Sequence, residues 1–189
     1  MSKGREKFHK YRCIILLIEK WYRLFPRKIR YRMLEKNRYT YGYIGTVKRY
    51  ALVKSIAKSV GDNVCIKEGV FFYNIDNMVI GKNVSIWPMT YIDAFGDLVI
   101  GNDVSIAHGV TILTFEHQYS DRELPIKDQK VKSIPVVIGN NVWIGAKATI
   151  LAGNHVNDGS VIGAGTVITK DVYDNSIIVG VPGKKIKDR

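Results

Sequence analysis

The residue whose type and setting best suit acid–base chemistry is His117, in the segment TFEHQYSDRELPIKDQKVKSIP at 114–135. An imidazole changes charge near pH ~6.5, so it can take a proton from a reacting hydroxyl at working pH. A solvated loop histidine is the plain alternative, and the residue by itself leaves both readings open. Tyr119 and Asp121 stand close behind it and either shape a pocket and orient the ring or simply stabilise the loop. His108 and His155 fall at variable positions of a repeat, where a side chain faces solvent, and His9 lies in a basic stretch. Cys13 and Cys65 make no CxxC or zinc spacing and no disulfide framework, so a reducing compartment is expected.

The elements that must position His117 are unusually regular. An aliphatic residue recurs every sixth position at Val60 and Ile66, at Ile80, Ile86 and Ile92, at Ile100, Ile106 and Ile112, and from Ile138 through Ile144, Ile150, Val156 and Ile162 to Ile168. Above it lies a longer period, because GDNV, GKNV and GNDV begin at 61, 81 and 101. Six residues is not a helical period, and simple alternation would not single out every sixth position. A chain that turns after each short strand obeys the pattern, with one large aliphatic per side pointing inward. Three sides close a coil, coils stack about 4.8 Å apart through parallel ladders, and about five coils give a prism on the order of 25 Å tall. The predicted body is therefore an all-β solenoid.

Continuing the period after Ile100 calls for a coil start at 120, but the next one is Ile138. The surplus equals one coil, yet its inward positions would be Ser120, Ile126 and Lys132, two of them polar. Residues 114–135 are accordingly expected to be extruded as a loop. Long loops within compact architectures are usually functional or disordered, and Pro125 and Pro135 fit an ordered flap.

The stretch IPVVIGNNVWIGAKATILAGNHVNDGSVIGAGTVITKDVYDNSIIVGVPGKKIK resembles the hexapeptide-repeat, left-handed β-helix acyltransferases, in particular the C-terminal half of sugar O-acetyltransferases. The similarity covers residues 60–187, and handedness is implied by the resemblance alone. In such enzymes a histidine on an extruded loop takes the proton of a sugar hydroxyl as it attacks acetyl-CoA, which by position implies His117 as general base. HQYSD looks like the polysaccharide and lipopolysaccharide branch. For coenzyme A the resemblance implies pantetheine contacts near Trp143, Gly145, Ala146 and Ala164, which every solenoid corner would equally need. It implies nucleotide and phosphate contacts at Thr169, Lys170, Lys184 and Lys187, with a solvated tail as the alternative. Relatives often carry Arg at the last two positions, and lysine offers a point charge instead of a fork. Some hexapeptide proteins use a histidine triad for zinc, but Arg122 follows His117 by five positions, so no metal is expected. In SIWPMTYIDAFGD, Trp87 with Tyr91 offers an aromatic wall for a sugar face, and Asp93 a partner for an acceptor hydroxyl. A homotrimer with sites between subunits is implied.

Net charge is +12, but residues 1–60 hold 17 Lys+Arg against 3 Asp+Glu, so the body is close to neutral. Phe8, Tyr11, Ile14, Ile15, Ile18, Trp21, Tyr22 and Phe25 recur at helical steps among these cations, and Pro26 limits that helix. Residues 1–59 thus read as a basic, aromatic, partly helical arm, 60–173 as the β-helix, and 174–189 as a tail completing the coenzyme A site. The arm either caps the solenoid or lies on an anionic membrane; no recognised nucleic-acid module accompanies the charge. CIILLI is too short for a signal peptide or a bilayer span, so a cytoplasmic protein is expected, at the inner face of the membrane if the arm binds lipid. The reading these features favour is acetylation of a hydroxyl on a bacterial surface polysaccharide or its precursor. The alternatives are N-acetylation of an amino-sugar nucleotide and a non-catalytic scaffold.

Overall fold

The computed structural model describes residues 2–189, with side chains from residue 4 onward. Short strands follow the six-residue beat and stack into three parallel sheets. Sheet A holds Ser59–Val60, Met78–Ile80, Leu98–Ile100, Val136–Ile138 and His155–Val156. Sheet B holds Cys65–Ile66, Ser85–Ile86, Ser105–Ile106, Trp143–Ile144, Val161–Ile162 and Ser176–Val179. Sheet C holds Phe71–Tyr73, Tyr91–Asp93, Thr111–Leu113, Thr149–Ile150 and Val167–Ile168. Five coils are complete and a sixth begins with the parallel bridge of Val172 to Val156 and continues into sheet B, a parallel solenoid in agreement with the β-helix that the resemblance implies. The beat residues fill its axis: Ile66, Ile86, Ile106, Ile144 and Ile162 are stacked in register and fully buried.

The corners are made by residues in left-handed conformation. At the A–B corner these are Asn63, Asn83, Asp103 and Asn141, residue types that tolerate positive φ. They also form a ladder, Asn63 donating to Asn83 at 3.0 Å and Asn83 to Asp103 at 3.0 Å. Farther along, Asn140 donates to the Asp158 carboxylate through its backbone and side chain, which holds that carboxyl below the usual range.

The basic arm folds as three helices, two more than its amphipathic pattern announced: α1 (Ser2–Arg23), α2 (Arg27–Lys36) and α3 (Gly42–Ile56). Helix α3 closes the first coil. In the stack, the Ile80 and Ile86 carbonyls accept from Gly61 N–H and Lys67 N–H of the preceding coil. The first coil has no predecessor, and the cap supplies the missing donors. Arg49 Nε reaches the Ile66 carbonyl at 3.0 Å, Lys54 the Val60 carbonyl, and Tyr50 the Gly61 carbonyl at 3.0 Å. Arg49 is 1% exposed, and its Nη1 also donates to Thr40 and Asn37 carbonyls at 2.7 and 3.0 Å. Burial pulls its guanidinium below the usual value, an effect that Glu68 opposes.

Helix α1 runs along the A–B corner, with Arg5 on Asp103 and Arg12 on Asp62, each at 2.8 Å. Seven helical residues rise about 10.5 Å and two coils about 9.6 Å, so the pairs match in pitch. The arm is therefore a cap. Its outward face still exposes Ile14, Leu17, Trp21 and Leu24. Among the described residues no helix is long and apolar enough to cross a membrane.

Candidate active site

The aperiodic segment leaves the solenoid after Thr111–Leu113, at the C–A corner, as an antiparallel hairpin of Phe115–His117 with Val131–Ser133. Its base is clasped. Buried Thr114 accepts from Gly96 N–H at 2.7 Å and donates to the Asp93 carbonyl at 3.0 Å, while Ile134 N–H returns to the Thr114 carbonyl at 2.9 Å. Gly96 has to be glycine, because a Cβ there would stand 2.1 Å from the Thr114 carbonyl oxygen. Phe95 and Phe115 pack edge to face above the clasp. At the tip, buried Gln129 donates to the Asp121 carbonyl at 2.7 Å and the Leu124 carbonyl at 3.0 Å. Asp121 accepts from Glu123 and Leu124 N–H, the loop-stabilising of its two readings. His117 and Tyr119 are exposed on this hydrogen-bonded flap.

The other site residues lie elsewhere. Trp87, Gly145, Ala146 and Ala164 share the B–C corner, and Trp143 stands on the sheet-B strand that leads into it. Gly145 is explained by stacking, since a Cβ would meet Ala164 N at 2.6 Å. The small outward side chains of Ala146 and Ala164 leave a low track between exposed Trp143 and the tail. That tail turns back at Gly180–Gly183, and Lys184–Asp188 pairs antiparallel with Ser176–Val179. Lys184, opposite Val179, thus sits near the B–C corner, whereas Lys187 lies farther along the strand, opposite Ile177. Thr169 and Lys170 follow Val167–Ile168 and fall at the C–A corner.

The SIWPMTYIDAFGD stretch does not form one wall. Trp87 is at the B–C corner with Lys67 Nζ 5.5 Å from its ring centre, Tyr91 is in sheet C, and Asp93 is at the C–A edge. Six residues separate one corner from the next, and that count was available in the sequence. Asp93 is 9% exposed and accepts from Asn74 Nδ2 at 2.7 Å and Phe95 N–H at 3.1 Å. His117 and Asp93 therefore share one edge of sheet C, and the B–C track lies along the other. A cavity of about 520 Å³ between α1, α3 and the first coil is lined mainly by Phe8, Tyr11, Ile15, Tyr43, Val47 and Tyr50. Among the described residues no group of three or more His, Cys, Asp or Glu is placed to hold a metal ion.

Residues 135–170 match the family described as the hexapeptide repeat of succinyl-transferase. The chain is 37% identical over 142 residues to the galactoside O-acetyltransferase of Escherichia coli K12, covering 75% of this chain and 68% of that protein. It is 32% identical to the putative lipopolysaccharide biosynthesis O-acetyl transferase WbbJ of the same organism, covering 63% of this chain and 61% of the relative. Among solved structures, a galactoside acetyltransferase in complex with coenzyme A superposes with a TM-score of 0.78 at 33% identity, over 86% of this chain and 80% of the other. Repeat, solenoid and relatives agree, and the chain belongs to the hexapeptide-repeat acyltransferase family, among its sugar O-acetyltransferases.

Proposed function

We propose that the chain is an acetyl-CoA-dependent O-acetyltransferase that acetylates a sugar hydroxyl of a surface polysaccharide or its precursor, with His117 as general base. The observation that carries this is the clasped flap, the single departure from the repeat, which presents an exposed imidazole on paired backbone. Acetyl-CoA supplies the acyl group as a thioester. The low B–C track suits a pantetheine arm, with Trp143 beside it and Lys184 and Lys187 toward the phosphate end; Thr169 and Lys170, at the C–A corner, would contribute to the coenzyme A held on a neighbouring copy's track. His117 takes the proton of the acceptor hydroxyl as that oxygen bonds to the thioester carbonyl carbon. The thiolate of coenzyme A then leaves. Asp93, Trp87 and Tyr119 hold the sugar. Amides at the corner suit a developing oxyanion.

The resemblance implies a homotrimer, and the separation of base and track suits an active site shared between copies. One side of a coil spans at most about 20 Å for six residues, and the base and the track stand at its two ends. A neighbouring copy must bring its flap to this chain's B–C corner. The relatives named as a galactoside and a lipopolysaccharide O-acetyltransferase support the sugar and the surface polymer. Consumption of acetyl-CoA against free, nucleotide-linked and lipid-linked sugars, with light scattering on the same sample, tests the reading. No turnover on any sugar, or full activity in a monomer, overturns it.

Changing Lys184 and Lys187 together to alanine should raise KM for acetyl-CoA and leave acceptor KM unaltered. Unchanged acetyl-CoA kinetics would remove both from the site.

The outward stripe of Ile14, Leu17, Trp21 and Leu24, flanked by Lys10 and Lys20, is the surface we assign to an anionic membrane at its inner face. The full chain should sediment with anionic vesicles at low salt, and Leu17→Ser with Trp21→Ser should abolish that. Equal binding by both would leave the arm only its capping role.

A further inference from the structure

Each coil passes the B–C corner through one left-handed residue: Gly69, Met89, Gly109, Lys147 and Gly165, with φ of 72°, 60°, 68°, 58° and 69°. Every other left-handed residue among those described is Gly, Asn or Asp. Met89 and Lys147 are the exceptions, and a side chain of their kind costs roughly 1 kcal/mol or more there. Both stand on the corner that carries Trp87 and the proposed coenzyme A track. Their neighbours make room for them. A Cβ on Gly69 would lie 3.2 Å from Met89 Sδ, and one on Gly109 would lie 3.4 Å from Lys147 Cγ.

Residues 107–110, 145–148 and 163–166 of this corner read AHGV, GAKA and GAGT. They contain no carboxylate, and the titratable group beside Lys147 is His108, whose carbonyl accepts from Lys147 N–H at 3.0 Å. Stacking alone does not require lysine, since Gly serves in three of the five coils. The Lys147 stem leans over Gly109 of the preceding coil, the side on which the Met89 and Trp87 coil lies and opposite to the tail that carries Lys184. That lean takes the side chain toward the acceptor end of the track and away from the phosphate end of coenzyme A.

We propose that Lys147 binds a phosphate or diphosphate carried by the sugar acceptor, with exposed Met89 and Trp87 as the apolar floor beneath the sugar. The proposal rests on the acetyltransferase reading and names its substrate class, a sugar esterified through phosphate. Nucleotide and lipid carriers share that chemistry, and the test separates them.

The full chain is saturated with coenzyme A, and inorganic pyrophosphate, dTDP and farnesyl diphosphate are each titrated calorimetrically. Parent, Lys147→Asn and Lys147→Arg are compared. The parent should bind at least one diphosphate, and the tighter of dTDP and farnesyl diphosphate identifies the carrier. Lys147→Asn should weaken binding about tenfold or more, the scale of one charge-assisted hydrogen bond. Lys147→Arg should retain most of it. Asparagine suits the left-handed backbone, so Lys147→Asn should melt at the parent's temperature or above it. Equal diphosphate affinity in Lys147→Asn, no diphosphate binding by the parent, or a lower melting temperature in Lys147→Asn overturns the proposal. Failure of the parent to bind coenzyme A in the first titration would instead sink the acetyltransferase reading, and this proposal with it.

Discussion

His117→Ala should lower the turnover number by about 10²–10⁴, the usual contribution of a general base. Coenzyme A affinity, assembly and melting temperature should all survive. The reason lies in how the flap is held. Backbone pairing of Phe115–His117 with Val131–Ser133 and the Thr114 clasp fix its place, and the imidazole itself takes no part in either. A side chain with no structural duty can be removed cleanly. Steady-state kinetics beside calorimetric coenzyme A titration is the measurement. Near-parental turnover in an assembled variant would make His117 an ordinary surface residue and leave the flap in need of another purpose.

The second large effect concerns stability. Arg49→Met keeps most of the buried volume but removes every donor that Arg49 sends to the Ile66, Asn37 and Thr40 carbonyls. Buried acceptors left without partners cost about 1–3 kcal/mol each before relaxation, so a net loss of about 3–5 kcal/mol is expected. At roughly 2–4 °C per kcal/mol for a chain of this size, the melting temperature should fall by about 6–20 °C. Differential scanning calorimetry measures it. A loss within a degree or two would show that the α3 cap is held by its apolar contacts, through Leu52, Val53 and Ile56, and not by Arg49.

The solenoid was legible because it obeys one rule many times. Each inward residue is set by its place in a six-residue count, so Ile80, Ile86 and Ile92 are buried where the count puts them. The corner residues follow the same count. Trp87 and Asp93 sit one beat apart and so on different corners, a separation that a reading of the stretch as one aromatic wall overlooked. Met89 and Lys147 likewise occupy the slot where other coils show Gly69, Gly109 and Gly165, a signal present in the letters. The clasp was not legible, because Gly96 and Thr114 meet across a corner with no period joining them. Arg49 was hidden for a different reason. Among 17 basic residues of the arm, nothing local marks the one whose charge is buried. Tertiary contact alone selects it.

The donors that α3 lends to the first coil have a meaning beyond stability. Each coil of the stack is a template for the next, and a bare row of carbonyls on a twisted strand edge is what the tip of a growing amyloid fibre presents. Arg49, Lys54 and Tyr50 occupy that tip with side chains that cannot themselves be copied onward. At the opposite end the last parallel rung is covered by Lys184–Asp188, which runs the wrong way to continue the stack and carries three lysines. The arm and the tail are chain terminators in the polymer sense. They make a structure that is periodic by design finite by design, and the molecule stays a protein instead of becoming the first segment of a filament.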